Sequence, residues 1–439
     1  MSISTESEQA KVSQSAQSVG SDRQEMRVSA LETRSKGWGE NMLRRTLQIV
    51  ALCCGALGLT IPAEAQFRFS TEALFMTRDD GSRQQILNGP DAFSNGSSTN
   101  FQHGYRFIFG GSYGDYDVEF VGAQIENWNS RSSGTLIRAL AFDDTAANPV
   151  VFPGGLANTL AFTNSLYTAA TAAGVEDNES ERLQAGATYF VTGSSRFQDY
   201  QINIGTNPTR NNWRFGLGWR QMRLNEGSTV GITGIFDALD TDSGDVAPAP
   251  GNEVNDALSN GAITGAGYTL RSGTANGYNA VFPGGVGVSP DTLQLYYASG
   301  SNNILNGVQV CGGYQIASES LLTLEVFSRT GIYHNYAQGN VGEYLIGSVN
   351  DNSVYQRNFS ASRNGVAFAS SLGFKAAVPV TDYISFTAGY EALYVANVAL
   401  ASTQLGGLSN SPFGDRQYHV RNGDKIIIHG ATLGLQVTW

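Results

Sequence analysis

Ionisable side chains in this chain stand singly between greasy neighbours, in runs that alternate with a period of two. Arg106 lies between Tyr105 and Phe107, Asp199 precedes Tyr200, and Arg214 and Arg220 interleave with Trp213, Phe215, Leu217 and Trp219. Glu325 lies between Leu324 and Val326 with Arg329 on the same phase, Lys375 follows Phe374, and Glu391 follows Tyr390. If each run is a strand, these eight groups share one face and the apolar residues share the other. A charged face turned inward supports two kinds of chemistry. It can line a water path and bias which ions pass, or its opposite charges can pair and fill the interior. The sequence leaves both open.

Other chemistries find less support. None of His103, His334, His419 and His429 has a partner at metal-ligand spacing, so no metal or other cofactor is expected. His334 and His419 fall in segments that read as loops, and His429 falls on the apolar phase. No spacing favours a hydrolytic His–Asp pair, so no enzymatic activity is expected. Asp237, Asp240, Asp242 and Asp245 begin like a calcium loop, yet Gly244 takes the fifth ligand position and no Glu follows at the twelfth. A solvated acidic loop accounts for them; divalent ions bridging the loop to lipid head groups would be the functional version.

Period two extends to the elements that would position these groups. In Tyr383–Val395, Ile384, Phe386, Ala388, Tyr390, Ala392 and Tyr394 oppose Ser385, Thr387, Gly389 and Glu391. The closing run places Ala431, Leu433, Leu435, Val437 and Trp439 on one face and Gly430, Thr432, Gly434, Gln436 and Thr438 on the other. Short turns at Gly114-Asp115, Asn207–Arg210, Ala317–Glu319 and Val378–Asp382 alternate with long segments near 78–100, 130–195, 225–290, 333–362 and 401–422. Such asymmetry predicts an all-β, transmembrane antiparallel up-and-down barrel with short periplasmic turns and long extracellular loops. Counting gives about ten strands. Leu183–Val191 and Thr229–Phe236 extend their neighbours or add a hairpin, which keeps twelve open. Tyr116–Trp128 loses its phase at Gly122 and reads as a bulge there. The two longest loops repeat VFPGG, at Val151–Gly155 and Val281–Gly285.

Composition agrees with many strands and turns: 52 Gly, 22 Phe and 19 Tyr in 439 residues, with 15% charged. Residues 1–41 have no hydrophobic period and are expected to be a disordered extension, with Met42 as the biological start. Residues 42–65 carry Arg44 and Arg45, an apolar stretch to Ile61 and Ala63-Glu64-Ala65, the pattern of a cleaved secretory signal. A membrane anchor is the alternative, although about 15 apolar residues fall short of a span. Cys53 and Cys54 lie in that signal, so Cys311 has no disulfide partner in a barrel of residues 66–439. Residues 1–65 hold seven basic and seven acidic groups, which leaves the whole net charge of −11 on the mature chain and argues against nucleic-acid binding.

Four segments resemble the beta-barrel porin-7 family: FGLGWRQMRLNEG from Phe215, NNILNGVQVCGGY from Asn302, TAGYEALYVANVALASTQL from Thr387 and IHGATLGLQVTW from Ile428. The resemblance implies an outer-membrane barrel and brings no substrate or site residues. An aromatic residue closing such a strand resembles the signal by which outer-membrane barrels are assembled, here Leu435, Val437 and Trp439. Outer-membrane lipid, the assembly machinery and small solutes are the expected partners, with the oligomeric state open. The first functional expectation is an outer-membrane channel for passive passage of small solutes. The alternative is a structural or surface-recognition barrel with no open pore.

Overall fold

The computed structural model describes residues 66–80, 85–87, 93–94, 101–137, 140–141, 180–183, 185–207, 212–239, 267–273, 292–319, 322–347, 354–408 and 417–439. The extension, the export signal, both VFPGG turns and Asp240, Asp242 and Asp245 lie outside them. Ten long strands follow one another: β1 (Gln66–Asp80), β2 (Gln102–Tyr113), β3 (Tyr116–Thr135), β4 (Thr188–Thr206), β5 (Trp213–Leu239), β6 (Thr292–Glu319), β7 (Leu322–Gly347), β8 (Val354–Pro379), β9 (Ile384–Val398) and β10 (Asp424–Thr438). Each pairs antiparallel with the next, and β10 pairs with β1 from Arg68↔Thr438 to Asp80↔Ile426. Closure satisfies every membrane-level backbone group without an edge. The barrel has ten strands and not twelve: Thr188–Val191 opens β4 and Thr229–Phe236 belongs to β5, while Leu183 ends a separate short strand, Ser180–Leu183, that pairs with the end of β5.

Both ends of the barrel chain meet at the rim of short connections. Gly114-Asp115 joins β2 to β3, and Phe67 and Trp439 exchange backbone hydrogen bonds of 2.8 and 3.0 Å. Above this rim apolar residues face outward, among them Trp213, Phe215, Leu217 and Trp219 on β5, Leu372 and Phe374 on β8, and Leu433 and Leu435 on β10. Aromatics collect at the lower edge of this band: ring centroids of Trp213 and Tyr314 lie 4.5 Å apart, those of Phe67 and Trp439 6.2 Å. That is the outer surface of a barrel spanning lipid, with its interfacial girdle.

Higher on the wall the phase inverts. Outward positions of β5 become Gln221, Arg223 and Asn225, while inward ones change from Arg214 and Arg220 to Met222, Leu224, Val230 and Ile232. The upper inward residues of β6 are Leu293, Leu295 and Tyr297, and those of β7 are Ala337, Val341 and Leu345. A wall standing in water needs its greasy face inside, the opposite of one standing in lipid. This inversion corrects three sequence expectations. Residues 333–362 are not a loop, since β7 runs to Gly347 and β8 begins at Val354, which puts His334 on a strand. Residues 225–290 begin as strand up to Leu239. No bulge occurs at Gly122; the β3–β4 register shifts only between Ile125 and Trp128, and the altered pattern comes from Val121 and Ile125 turning apolar side chains inward.

The wall is also uneven in height. β5 to β8 hold 27, 28, 26 and 26 residues, whereas β9, β10 and β1 hold 15 each and β2 holds 12. Over the low side the chain leaves β9 through Asn397, at a left-handed φ of 61° that Asn tolerates better than most residues. It then dives inward as a strap: Ala399–Leu408, with a helical turn at Ala401–Gln404, returning through Tyr418 and Val420. The strap completes an upper apolar cluster in which Leu405, Leu408, Tyr418 and Val420 meet Val230, Leu295, Tyr297 and Leu345.

Candidate functional site in the barrel interior

Strand alternation delivers polar side chains to the lower interior, and ring closure decides which of them meet. Asp117 of β3 takes Arg68 of β1 at 2.6 Å and Arg214 of β5 at 2.8 Å. Two residues on, Glu119 takes the same two arginines at 3.3 Å each and Arg329 of β7 at 3.4 Å. Glu391 of β9 accepts from Arg106 of β2 at 2.6 Å and lies 4.0 Å from Arg329. Glu72 of β1 accepts from the same Arg106 at 2.8 Å and from Lys375 of β8 at 3.1 Å. The connected lattice thus joins seven strands across the barrel. Beside it Arg220 forks onto both oxygens of Asp199 at 2.8 Å.

Of the eight groups singled out in the sequence, Arg106, Arg214, Arg329, Lys375 and Glu391 belong to the lattice, and Asp199 and Arg220 form the separate pair. Glu325 lines the space beneath it with Arg214 and Lys375, and among the described residues it makes no ion pair within 4 Å. The acids that hold the lattice together, Glu72, Asp117 and Glu119, were missed, as was Arg68. A signal for them exists in the sequence. Arg68, Ser70 and Glu72 oppose Phe67, Phe69 and Ala73, and Asp117 and Glu119 alternate with Val118 and Phe120.

The lattice, the Asp199–Arg220 pair and Glu325 together comprise six basic groups (Arg68, Arg106, Arg214, Arg220, Arg329, Lys375) and six acidic ones (Glu72, Asp117, Glu119, Asp199, Glu325, Glu391). That balance suits self-pairing, where a selective constriction carries one sign of charge. Amides fill the remaining depth: Gln309 donates to Gln201 at 3.0 Å and to Asn203 at 2.7 Å, and Tyr333 donates to Gln309 at 3.3 Å. The lattice leaves a cavity of about 60 Å³, against about 220 Å³ at the lower rim.

An apolar layer crosses the barrel above the charges. Leu74, Trp128, Met222, Leu224, Leu305 and Leu393 are all nearly inaccessible to water. The strap lies over this layer and is fixed by polar side chains of the wall. Asn303 donates to the Ala399 carbonyl at 2.7 Å and accepts from the Ala399 N–H at 2.8 Å. Glu226 accepts from the Ala401 N–H at 2.9 Å and pairs through its other oxygen with Arg78. Asp424 accepts from the Thr403 hydroxyl at 2.6 Å. Within the strap Gln404 bonds Tyr418 at 2.7 Å and the Arg421 carbonyl at 2.8 Å. Burial pushes the Tyr418 phenol above its ordinary range.

The remaining sequence candidates sit elsewhere. Leu435, Val437 and Trp439 face outward along the lower band. His429 Nδ1 lies 2.6 Å from Tyr390 Oη on the outer wall. Cys311 is buried, its thiol 3.4 Å from Asn203 Oδ1. Among the described residues no three His, Cys, Asp or Glu side chains converge as a metal site.

No protein-family model and no curated protein matches the chain, so the likeness to the porin-7 family stands as a resemblance. Among solved structures, the outer membrane protease OmpT from Escherichia coli aligns at 10% identity over 87% of this chain and 99% of its own, with a TM-score of 0.39. The translocator domain of autotransporter NalP from Neisseria meningitidis aligns at 8% identity over 90% and 95%, with a TM-score of 0.18. The outer membrane channel DcaP of Acinetobacter baumannii aligns at 8% over 87% and 99%, with a TM-score of 0.16. Likenesses this weak say nothing of activity.

Proposed function

We propose that this chain is an outer-membrane β-barrel, exported by a signal peptide and assembled through Leu435, Val437 and Trp439, whose membrane-level interior is sealed and whose raised wall is a recognition surface. One observation carries the reading. Three successive layers occupy the interior: a self-paired charge lattice, an apolar layer and the inserted strap. Barrels of about eight strands are just filled by side chains, and open channels belong to wider rings. Ten strands with long polar and aromatic side chains turned inward fill in the same way. Seven of the eight singled-out charges then act as internal struts, with Glu325 lining the space beneath them, while lipid of the outer membrane meets the apolar band.

A narrow channel for small solutes is the second reading. It is favoured by the strap, which is a short segment held largely by side-chain bonds to its backbone, and by the cavity open at the lower rim. Planar-bilayer recording separates the two. The folded protein should stay silent at moderate voltage; discrete, salt-dependent steps from wild-type protein would establish the channel and end the sealed reading.

A further inference from the structure

Above the lipid band the outer wall of β6, β7 and β8 carries a groove with an unusual lining. Its volume is about 560 Å³, and its outward side chains are Asn302, Gln338, Asn340, Ser360 and Ser362. These residues face one another in register across three strands: Asn302↔Gln338↔Ser362 forms one row and Gly300↔Asn340↔Ser360 the next. Glycine makes the depression. Gly300 pairs with Gly227 of β5, and a Cβ on Gly300 would come within 2.5 Å of Asn340 Oδ1. The charged residue at the groove, Glu226, turns its carboxylate to the inside, where Arg78 and the Ala401 N–H take it.

Chemistry narrows the occupant. Amides and hydroxyls each donate and accept hydrogen bonds, as do the hydroxyls of a sugar. A phosphate or carboxylate ligand would call for Arg or Lys, and a greasy one for an apolar lining; the groove offers neither. Tyr336, 3.1 Å from Gln338, and Tyr344, 3.5 Å from Asn358, bring aromatic rings to its margins, suited to the apolar face of a pyranose. Paired strands hold the polar groups in place before any ligand arrives, which lowers the ordering cost of binding. The volume lies in the range of small-molecule sites, about 300–1,000 Å³. On β6 the outward series runs Val310, Val308, Asn306, Ile304 and Asn302, so the apolar run of the lipid band gives way to amides toward the groove.

We infer that this groove binds uncharged oligosaccharide. The inference deepens the recognition reading and rests on it. Two sources share the chemistry, a free glycan and the saccharide of a membrane glycolipid. The test is equilibrium binding to the purified full barrel in detergent, with maltotetraose and chitotetraose as free neutral glycans and an uncharged O-antigen oligosaccharide released from lipopolysaccharide as the membrane-derived arm. Saturable binding of at least one probe is expected, and the arm that binds names the source. The double variant Gln338→Ala/Asn340→Ala should weaken that binding at least tenfold with an unchanged melting temperature, and Gly300→Leu, which fills the depression, should abolish it. If Gly300→Leu fails to fold, Asn302→Ala/Ser362→Ala takes its place, with the same tenfold loss expected. Absence of saturable binding for all three probes, or binding that persists in folded groove variants, overturns the inference. A conducting barrel that binds glycan would refute the seal and keep the site; a silent barrel that binds none would do the reverse.

Discussion

Arg106→Met is the change that most directly asks whether the interior is packed or open. The guanidinium joins Glu72 at 2.8 Å and Glu391 at 2.6 Å, and its side chain is only 10% exposed. Methionine keeps most of the stem volume and removes both ion pairs, leaving two carboxylates short of a partner. Breaking a buried pair from one side costs about 3–5 kcal/mol. Glu72 retains Lys375 at 3.1 Å and Glu391 retains Arg329 at 4.0 Å, which places the cost near the lower figure. About 3 kcal/mol is roughly a hundredfold loss in the folding equilibrium.

The assay is guanidinium unfolding of the barrel in lipid vesicles, followed by tryptophan fluorescence and paired with bilayer recording of the same preparation. Removing a second partner sharpens the test, because Arg106→Met/Glu391→Leu no longer strands the Glu391 charge. It should be less destabilised than the sum of the single changes, by about 1–3 kcal/mol of coupling. An open, water-filled interior predicts otherwise. Water would solvate the orphaned carboxylates, stability would move by less than about 0.5 kcal/mol as for a surface change, and ion selectivity would shift. That second pattern would refute the sealed-lumen reasoning.

Three further outcomes follow from the same contacts. Glu226→Gln/Asp424→Asn removes both carboxylates that hold the strap, so a cysteine introduced as Ala401→Cys should label with a membrane-impermeant maleimide far faster than in the parent; equal labelling would mean that the apolar contacts alone secure it. Burial raises the folded-state pKa of Tyr418 above its unfolded value of about 10, so its contribution is complete below that pH and is lost as pH rises beyond it; the same label should report alkaline loosening of the strap that Tyr418→Phe abolishes. Gly430→Val places a side chain against the Phe75 carbonyl oxygen on the seam between β10 and β1, and folded yield, read as heat-sensitive gel mobility, should fall severalfold, whereas Leu433→Val on the lipid face should leave it intact.

Legibility in the sequence followed the solvent. Where a strand stands in lipid with a polar interior, as in Trp213–Arg220 or Tyr383–Val395, alternation alone assigns its faces. The same strands vanish from a reading by alternation where they rise into water, because the apolar set changes sides between Trp219 and Met222 on β5. That is why β7 and β8 near residues 333–362 look like a loop although pairing continues from Tyr333↔Ala367 to Ile346↔Val354. Local rules also cannot supply the partners. Arg106 and Glu391 are 285 residues apart, and only closure of the ring through β10 and β1 brings them together. The strap was hidden for a related reason: Ala399–Leu408 has no period of two, and its burial depends on the neighbouring wall being low.

Placing the charge lattice below the inversion and the apolar layers above it is consistent with the physics of the two surroundings. Within the lipid band the outer face already takes the apolar residues, so polar groups must go inward, and at that depth they are tolerated when they pair with one another or meet water. Equal numbers of acids and bases therefore belong there. Once the wall leaves lipid, water covers its outside and an apolar interior becomes favourable again, as in a soluble domain. An interior of that kind needs a lid, because the low side formed by β9, β10, β1 and β2 leaves its greasy face uncovered. The strap meets that need with Leu405, Leu408 and Val420; its two arms bridge at Leu408 and Tyr418, and its outgoing backbone is satisfied by Asn303, Glu226 and Asp424. Asn303, Glu226 and Asp424 are thereby explained by the strap, whereas the outward amides around Gly300 take no part in holding it and face the outside of the barrel.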